Sequence, residues 1–361
     1  MKKNLILFFS LAVMLSLCSV SLLANEKPGN KNRINSDNEK YCVVYKGDKG
    51  IALGKKVVFI ASDHEYRSEE VLPALAKILA KRYGMTCTIV YALDEQESIL
   101  PGGSDLKGLE VLEDADLMVI FTRFANFNDK EMTHIDNFLK RGGPVIGLRT
   151  STHAFKNNGN SKWEHYGFNY NGPKTAWKGG FGEYILGETW VGHYGKNHQQ
   201  SSNVLIQPEE KKHSVLRGVK DVWVQSGGYM AEPIGTVLAR GQILNGMDTK
   251  AQPDKTKKEV PVAWIRDYKI ENGLSGRAFT TTHGASVDFL NEGYRRMFIN
   301  ASLWAMGMEN QIKANNNVDF VGPISFSNFG FEGYKANVKP SDLAGWESLI
   351  MPGQKVEKKK K

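Results

Sequence analysis

Apolar and polar positions alternate along this chain in blocks that read as strands and helices. KVVFIA, Lys56 to Ala61, is short, apolar and β-branched, the pattern of a buried strand. Val71, Leu72, Leu75, Ile78 and Leu79 follow at helical spacing, opened by Ser68 with Glu69 and Glu70 and closed by Gly84. Pro73 then belongs in or near the first helical turn. Thr86 to Tyr91 reads as a second strand and Leu117 to Thr122 as a third, fully buried one. Asn128 and Glu131 start a helix carrying Met132, Ile135, Phe138 and Leu139, which Gly142 and Gly143 end. Val145 to Leu148 is the fourth strand. This order predicts an α/β fold: a doubly wound, mainly parallel sheet with helices on both faces.

The pattern then breaks. From Lys156 to about Ser202 the chain is rich in Gly, Asn, Trp, Tyr and His and has little periodicity, which predicts a long loop-rich insert. Strand-like runs return at Thr236 to Ala239, Pro261 to Ile265 and Arg277 to Thr282, and a helix runs from about Asn291 to Met308. CVVY, Cys42 to Tyr45, reads as a short edge strand.

The ends add a signal and a tail. Lys2 and Lys3, an apolar run from Leu5 to Leu17 and then small residues read as a secretory signal cleaved near Ala24. The run is short for a membrane span. Leu17 precedes Cys18 where a lipid-anchor signal wants a small residue, so no lipoprotein is expected. The expected location is periplasmic or secreted. Five lysines and one glutamate in residues 355–361, with Lys2 and Lys3, account for six of the eight net positive charges. The remaining +2 forms no basic stripe, so nucleic acid is a poor partner. After cleavage only Cys42 and Cys87 remain; a disulfide is one reading, a flanking and a buried free thiol the more ordinary one.

Candidate chemistry is positional. In a parallel sheet, ligands bind beyond the carboxyl ends of the strands. Several strands here end in polar loops: Asp63, His64 and Tyr66 after the first, Arg123 after the third, Arg149, Ser151 and His153 after the fourth, His283 after the last. The insert can add Glu188, Trp190, His193 and His198. Imidazole and carboxylate suit proton exchange near neutral pH. The expected acid/base groups are His153, His193 and Glu188, and the expected substrate contacts are Asp63, His64, Tyr66, Arg123, Arg149, Ser151, Trp190 and His283. Trp163, Trp177, Trp190 and Tyr194 are candidates for stacking on sugar faces or for packing the insert. No cofactor is certain. A divalent metal such as zinc is the alternative, with His64, His153, His193 and His198 as candidate ligands, although no compact His-x-x-x-His pattern is present.

SDHEYRSEEVLPALAKIL (62–79), GGPVIGLRTSTHAF (142–155), GETWVGHYG (187–195) and RAFTTTHGASVDFLNEGYRRMFINASLWAMGME (277–309) together resemble the ThuA-like, trehalose-utilisation family. The likeness implies a flavodoxin-like fold related to class I glutamine amidotransferases. It also implies a layout of signal (1–24), N-terminal arm (25–54), ThuA-like domain (55–313) and C-terminal extension with a lysine tail (314–361). In amidotransferases a nucleophilic Cys follows a strand like PVLGIC; PVIGLR places Arg149 there. A guanidinium cannot serve as an acyl-accepting nucleophile, so glutamine hydrolysis is not expected. Arg149 would instead offer a donor fork to substrate. The resemblance implies a small-molecule carbohydrate partner, with 3-keto-glycosides or disaccharides as the substrate class and isomerisation, elimination or hydrolysis as the reaction. The rival readings are a non-catalytic carbohydrate-binding or scaffold protein and a structural envelope protein. A homo-oligomer is compatible with each.

Overall fold

The structure, a computed structural model, describes residues 40–157 and 162–348. The expected signal, most of the expected N-terminal arm and the lysine tail lie outside the described residues. Ten strands form one mixed sheet: β1 (Cys42–Lys46), β2 (Lys56–Ser62), β3 (Thr86–Tyr91), β4 (Leu117–Thr122), β5 (Val145–Leu148), β6 (Ser202–Ile206), β7 (Trp223–Val224), β8 (Thr236–Ile243), β9 (Val260–Lys269) and β10 (Ser275–Thr281), in the order β1-β3-β2-β4-β5-β10-β9-β8-β6-β7. β3, β2, β4, β5 and β10 are parallel neighbours. β1 closes one edge antiparallel to β3, and β9, β8, β6 and β7 extend the other as an antiparallel wing. That wing, with β6 and β7 in particular, was not legible as part of the same sheet.

The parallel strands are apolar on both faces because each face is covered. On β2, Val57, Phe59 and Ala61 pack in one cluster with α1 (Ser68–Tyr83) and α3 (Glu292–Ala305). Val58 and Ile60, one residue out of phase, pack in a second cluster with α2 (Asp129–Lys140). Each such fully buried side chain contributes roughly 1.5–3 kcal/mol. Asn128 caps α2 by accepting from Glu131 N at 3.1 Å, and Gly84 ends α1 in the left-handed conformation. Pro73 is the sixth residue of α1, a turn deeper than its sequence position implied; the helix continues through it with one backbone donor fewer. Cys42 and Cys87 are buried in the two different clusters, on opposite faces of the β1–β3 pair, and do not bond to each other.

Register aligns the strand ends. Ser62 pairs with Thr122, and Leu148 with Thr281, so the loops that begin at Asp63, Arg123, Arg149 and Thr282 leave the sheet along one edge. Between Arg149 and Gln200 the described residues form short turns and no strand, including one-turn helices at Glu164–Tyr166, Thr175–Trp177 and Gly182–Leu186. Edge-to-face packing of Phe155 on Tyr166 and Phe181 anchors this segment.

Candidate functional site

β5 stops at Leu148, and Arg149 enters the loop with φ 48, a left-handed conformation uncommon for a side chain with a Cβ. Arg149–His153 then make one tight helical turn in which all five residues are buried. The turn is pinned from below. Ser151 Oγ lies 2.6 Å from Ile120 O and 2.8 Å from Leu148 O. Thr150 Oγ1 donates to Asp63 Oδ2 at 2.9 Å. Asp63 Oδ1 in turn accepts from the backbone N–H groups of Glu65, at 2.9 Å, and Tyr66. Asp63 thus joins the loop after β2 to the loop after β5, and Ser151 holds the turn against β4.

Arg149 is fully enclosed. Nη1 donates to Thr282 O at 2.5 Å and reaches Ser226 Oγ at 3.4 Å, while Nη2 donates to the Tyr66 phenol at 3.0 Å. The guanidinium lies between the rings of Tyr66 and Tyr229, 4.2 and 4.3 Å from their centroids. Its donor fork is therefore engaged inside the protein. Its charge acts on the surroundings through a low-dielectric interior.

Two histidines share one aromatic wall. His153, 2% exposed, packs on Trp190 at 5.1 Å and on Tyr229 at 5.7 Å between ring centroids, with Phe124 at 4.8 Å on another side. His193, exposed at the rim, contacts the same two rings, Trp190 at 5.9 Å and Tyr229 at 5.3 Å. Burial, reinforced by the Arg123 and Arg149 cations, holds His153 well below the ordinary imidazole range. Burial of its inner edge and the same two cations bring His193 down to about 4. Both imidazoles are neutral at pH 7. Trp190 Nε1 has no hydrogen-bond partner among the described residues.

The adjoining corner is polar. Arg123 Nη1 lies 2.9 Å from His64 Nε2. Arginine only donates, so His64 Nε2 accepts and the ring proton sits on Nδ1. Arg123 Nη2 is 3.8 Å from Glu65 Oε2. Asn197 Nδ2 donates to Glu65 Oε1 at 3.3 Å and to the Tyr66 phenol at 2.9 Å. Burial first, and the neighbouring Asp63 second, push the Glu65 pKa up.

His283 is reached from below. Ser226 Oγ donates to Asp288 Oδ2 at 2.5 Å. Its single proton is then spent, so His283 Nδ1–H donates to Ser226 Oγ across 3.1 Å. Asp288 also accepts from the backbone N–H groups of Gln225, Ser226, Gly284 and Ala285.

The structure gathers Asp63, His64, Tyr66, Arg123, Arg149, Ser151, His153, Trp190, His193 and His283 around one strand edge. Glu188 faces elsewhere: its Oε2 accepts from Glu232 N at 2.6 Å, and burial raises its pKa. His198 stacks on Phe329, 4.4 Å between centroids. Among the described residues no three His, Cys, Asp or Glu side chains converge as a metal site. Trp163 and Trp177 line a separate cleft of about 800 Å³ beside α2, which shares no residue with the histidine cluster. Tyr194 donates to Lys258 O at 2.6 Å. Sequence reasoning missed Glu65, Ser226, Tyr229 and Asp288. Glu65 stands inside the polar loop already flagged; the other three lie where no periodicity marks them.

An α/β sheet whose parallel strands end in a shared polar cluster defines the class of this protein. The chain belongs to the ThuA family, described as trehalose utilisation, whose sequence profile matches residues 56–305. No curated protein matches it. Among solved structures it is similar to a ThuA-like protein from Parabacteroides merdae (14% identity, 72% of this chain and 90% of that one, TM-score 0.42). It is also similar to the mmIFT52 N-terminal domain (14% identity, 70% and 97%, TM-score 0.34). A third is exo-beta-1,4-mannosidase Op5Man5 from Opitutaceae bacterium strain TAV5 (10% identity, 70% and 36%, TM-score 0.31).

Proposed function

We propose that this protein is a secreted or periplasmic carbohydrate-processing enzyme acting on a 3-keto-glycoside or keto-disaccharide by histidine proton transfer. The layout that goes with this reading is a signal cleaved near Ala24, a flavodoxin-like doubly wound domain over 55–313 and an extension beyond. The observation that carries it is the pair His153 and His193 on the Trp190–Tyr229 wall, both neutral at pH 7 and beside two cations. A neutral imidazole is a base for a C–H proton next to a ketone. Arg123, partly exposed, is the donor for the enolate oxygen that forms, with His64 holding its orientation. The histidine that took the C–H proton, now an imidazolium, passes that proton to the departing oxygen, so both imidazoles end neutral again. Arg149 contributes its field and the Tyr66 position instead of a direct contact.

Carbohydrate binding without turnover is the second reading, favoured by the near-complete burial of His153. Incubation with disaccharides and their 3-keto forms, followed by NMR, separates the two. Turnover that falls at least about a hundredfold in both His153→Ala and His193→Ala is expected, the usual size of an acid/base contribution. Wild-type rates in both variants would remove the histidine assignment. Tight binding with every sugar unchanged would favour the second reading. The mature protein is expected to begin at Asn25, which intact mass of the exported chain checks.

A further inference from the structure

The family match ends at residue 305, yet the chain continues back to the strand edge. Residues 326–332 cross the loop after β2 as a strap. Gly330 N donates to Glu65 O at 2.6 Å, Arg67 Nη2 donates to Glu332 O at 2.5 Å, and Ser327 N donates to Glu70 Oε2 at 2.7 Å. Arg67 adopts a left-handed φ of 63, which places its side chain at 3.1 Å from Ser327 Oγ as well. Phe329 turns inward and packs on Tyr66, 5.2 Å between centroids. Phe331 turns outward. It is 53% exposed, tilted over His64 at 5.2 Å, with the Arg123 guanidinium 4.8 Å from its centroid.

An exposed phenyl ring fixed by backbone bonds on both sides, directly beside an arginine with donors to spare, presents two chemistries at once. The ring offers a flat apolar surface, and Arg123, 15% exposed, spends Nη1 on His64 while Nη2 stands 3.8 Å from Glu65 Oε2, beyond hydrogen-bond length. A pyranose has the complementary pair: an apolar face of C–H bonds and an edge of oxygens. We propose that Phe331, supplied from outside the family-matched segment, is the stacking platform of a sugar subsite, with Arg123 taking an oxygen of the stacked ring. This rests on the carbohydrate reading above. The strap is thereby a component of the site, and Phe331 a determinant of affinity and not of the chemical step.

The test uses the full chain and three variants: Phe331→Ala, Phe331→Leu and Phe331→Trp. Probes are trehalose and 3-keto-trehalose, with Kd from calorimetry and KM and kcat from NMR time courses. Phe331→Ala is expected to weaken Kd or KM about tenfold or more with kcat within about twofold, the loss of one buried aromatic contact. Phe331→Leu keeps an apolar side chain without a flat face and is expected to stay weak, whereas Phe331→Trp restores affinity. That contrast separates a platform from mere packing of the strap. Wild-type affinity in Phe331→Ala, or full rescue by Phe331→Leu, overturns the platform while leaving the histidine chemistry standing. Loss of the His153 and His193 effects with the Phe331 effect retained overturns the chemistry and leaves the platform. A wild-type protein that binds neither sugar overturns both.

Discussion

Arg149 donates to the phenol of Tyr66 at 3.0 Å while lying 4.2 Å over the same ring's centroid, so one tyrosine meets the guanidinium through both its oxygen and its face. Tyr229 covers the cation at 4.3 Å, and Thr282 O takes a second donor. No ion pair holds Arg149 among the described residues; neutral acceptors and two rings do. Arg149→Met removes the donor and leaves Tyr66 and Thr282 O short of partners. We expect a loss of about 2–4 kcal/mol in urea denaturation, the cost of breaking a buried polar arrangement from one side. The same variant removes a cation that depresses His193, so the His193 pKa should rise in an NMR titration. An unchanged titration would mean that Arg149 does not set the electrostatics of the site.

Asp288 accepts five hydrogen bonds, four from backbone N–H groups and one from Ser226. Asp288→Asn keeps the shape but turns one acceptor into a donor facing other donors. The expected cost is about 2–4 kcal/mol. Because Ser226 Oγ is then free to reorient, the His283 tautomer should change as well, visible in imidazole nitrogen shifts.

Stability should peak near pH 6.5. Burial keeps His153 and His283 well below 6.5 and brings His165 to about 4. These imidazoles stay neutral in the folded protein while the unfolded chain protonates at 6.5, so each step down in pH from there favours unfolding. Burial lifts Glu69 to about 8 and Glu131 to about 7, against 4.5 in the unfolded chain. Their contribution is present below 4.5 and is lost as pH rises to about 8. Between 4.5 and 6.5 the buried imidazoles, with His193 added to these three, outweigh the two carboxyls; above 6.5 the carboxyls set the slope until Lys77, brought down to about 8 by burial, starts to oppose it. Denaturation midpoints across pH 4–9 give the profile, and Glu69→Gln should flatten its alkaline limb.

Gly182 is where the insert rests on the Arg149–His153 turn. A Cβ there would stand 2.2 Å from Thr152 O and 2.9 Å from Glu188 O, both backbone atoms. Neither can move without dislodging the turn that carries His153. Gly182→Ala is expected to cost about 1–3 kcal/mol and to expose the insert to limited proteolysis before the sheet unfolds. A protease-resistant variant of normal stability would show that the turn and insert are not coupled.

The central strands were legible, Thr86 to Tyr91 from its alternation and Leu117 to Thr122 and Val145 to Leu148 from continuous apolar runs, and they coincide with β3, β4 and β5. The polar stops at Asp63, Arg123, Arg149 and His283 were legible for the same reason, since an apolar run that ends abruptly announces its own boundary. The wing was harder. β6 and β7 are short, half-buried strands; β6 pairs with β8, which lies further along the chain, and β7 is held at the edge by β6 alone. Ser226 and Asp288 lie 62 residues apart, so no local pattern could pair them. The direction of Glu188 was equally invisible. Its neighbours in sequence fit a catalytic carboxylate, and only the fold turns it towards Glu232 N.

The strap follows every other part of the site in the chain. The bonds from Arg67 and Glu70 to Ser327, and from Gly330 N to Glu65 O, therefore wait for the last part of the chain to be made. A chain ending after α3 would lack these bonds and also Val318, Phe329, Val338 and Leu343, which are part of the main core cluster. Closure of this rim, and of part of the core beneath it, is thus tied to residues made after all the strands.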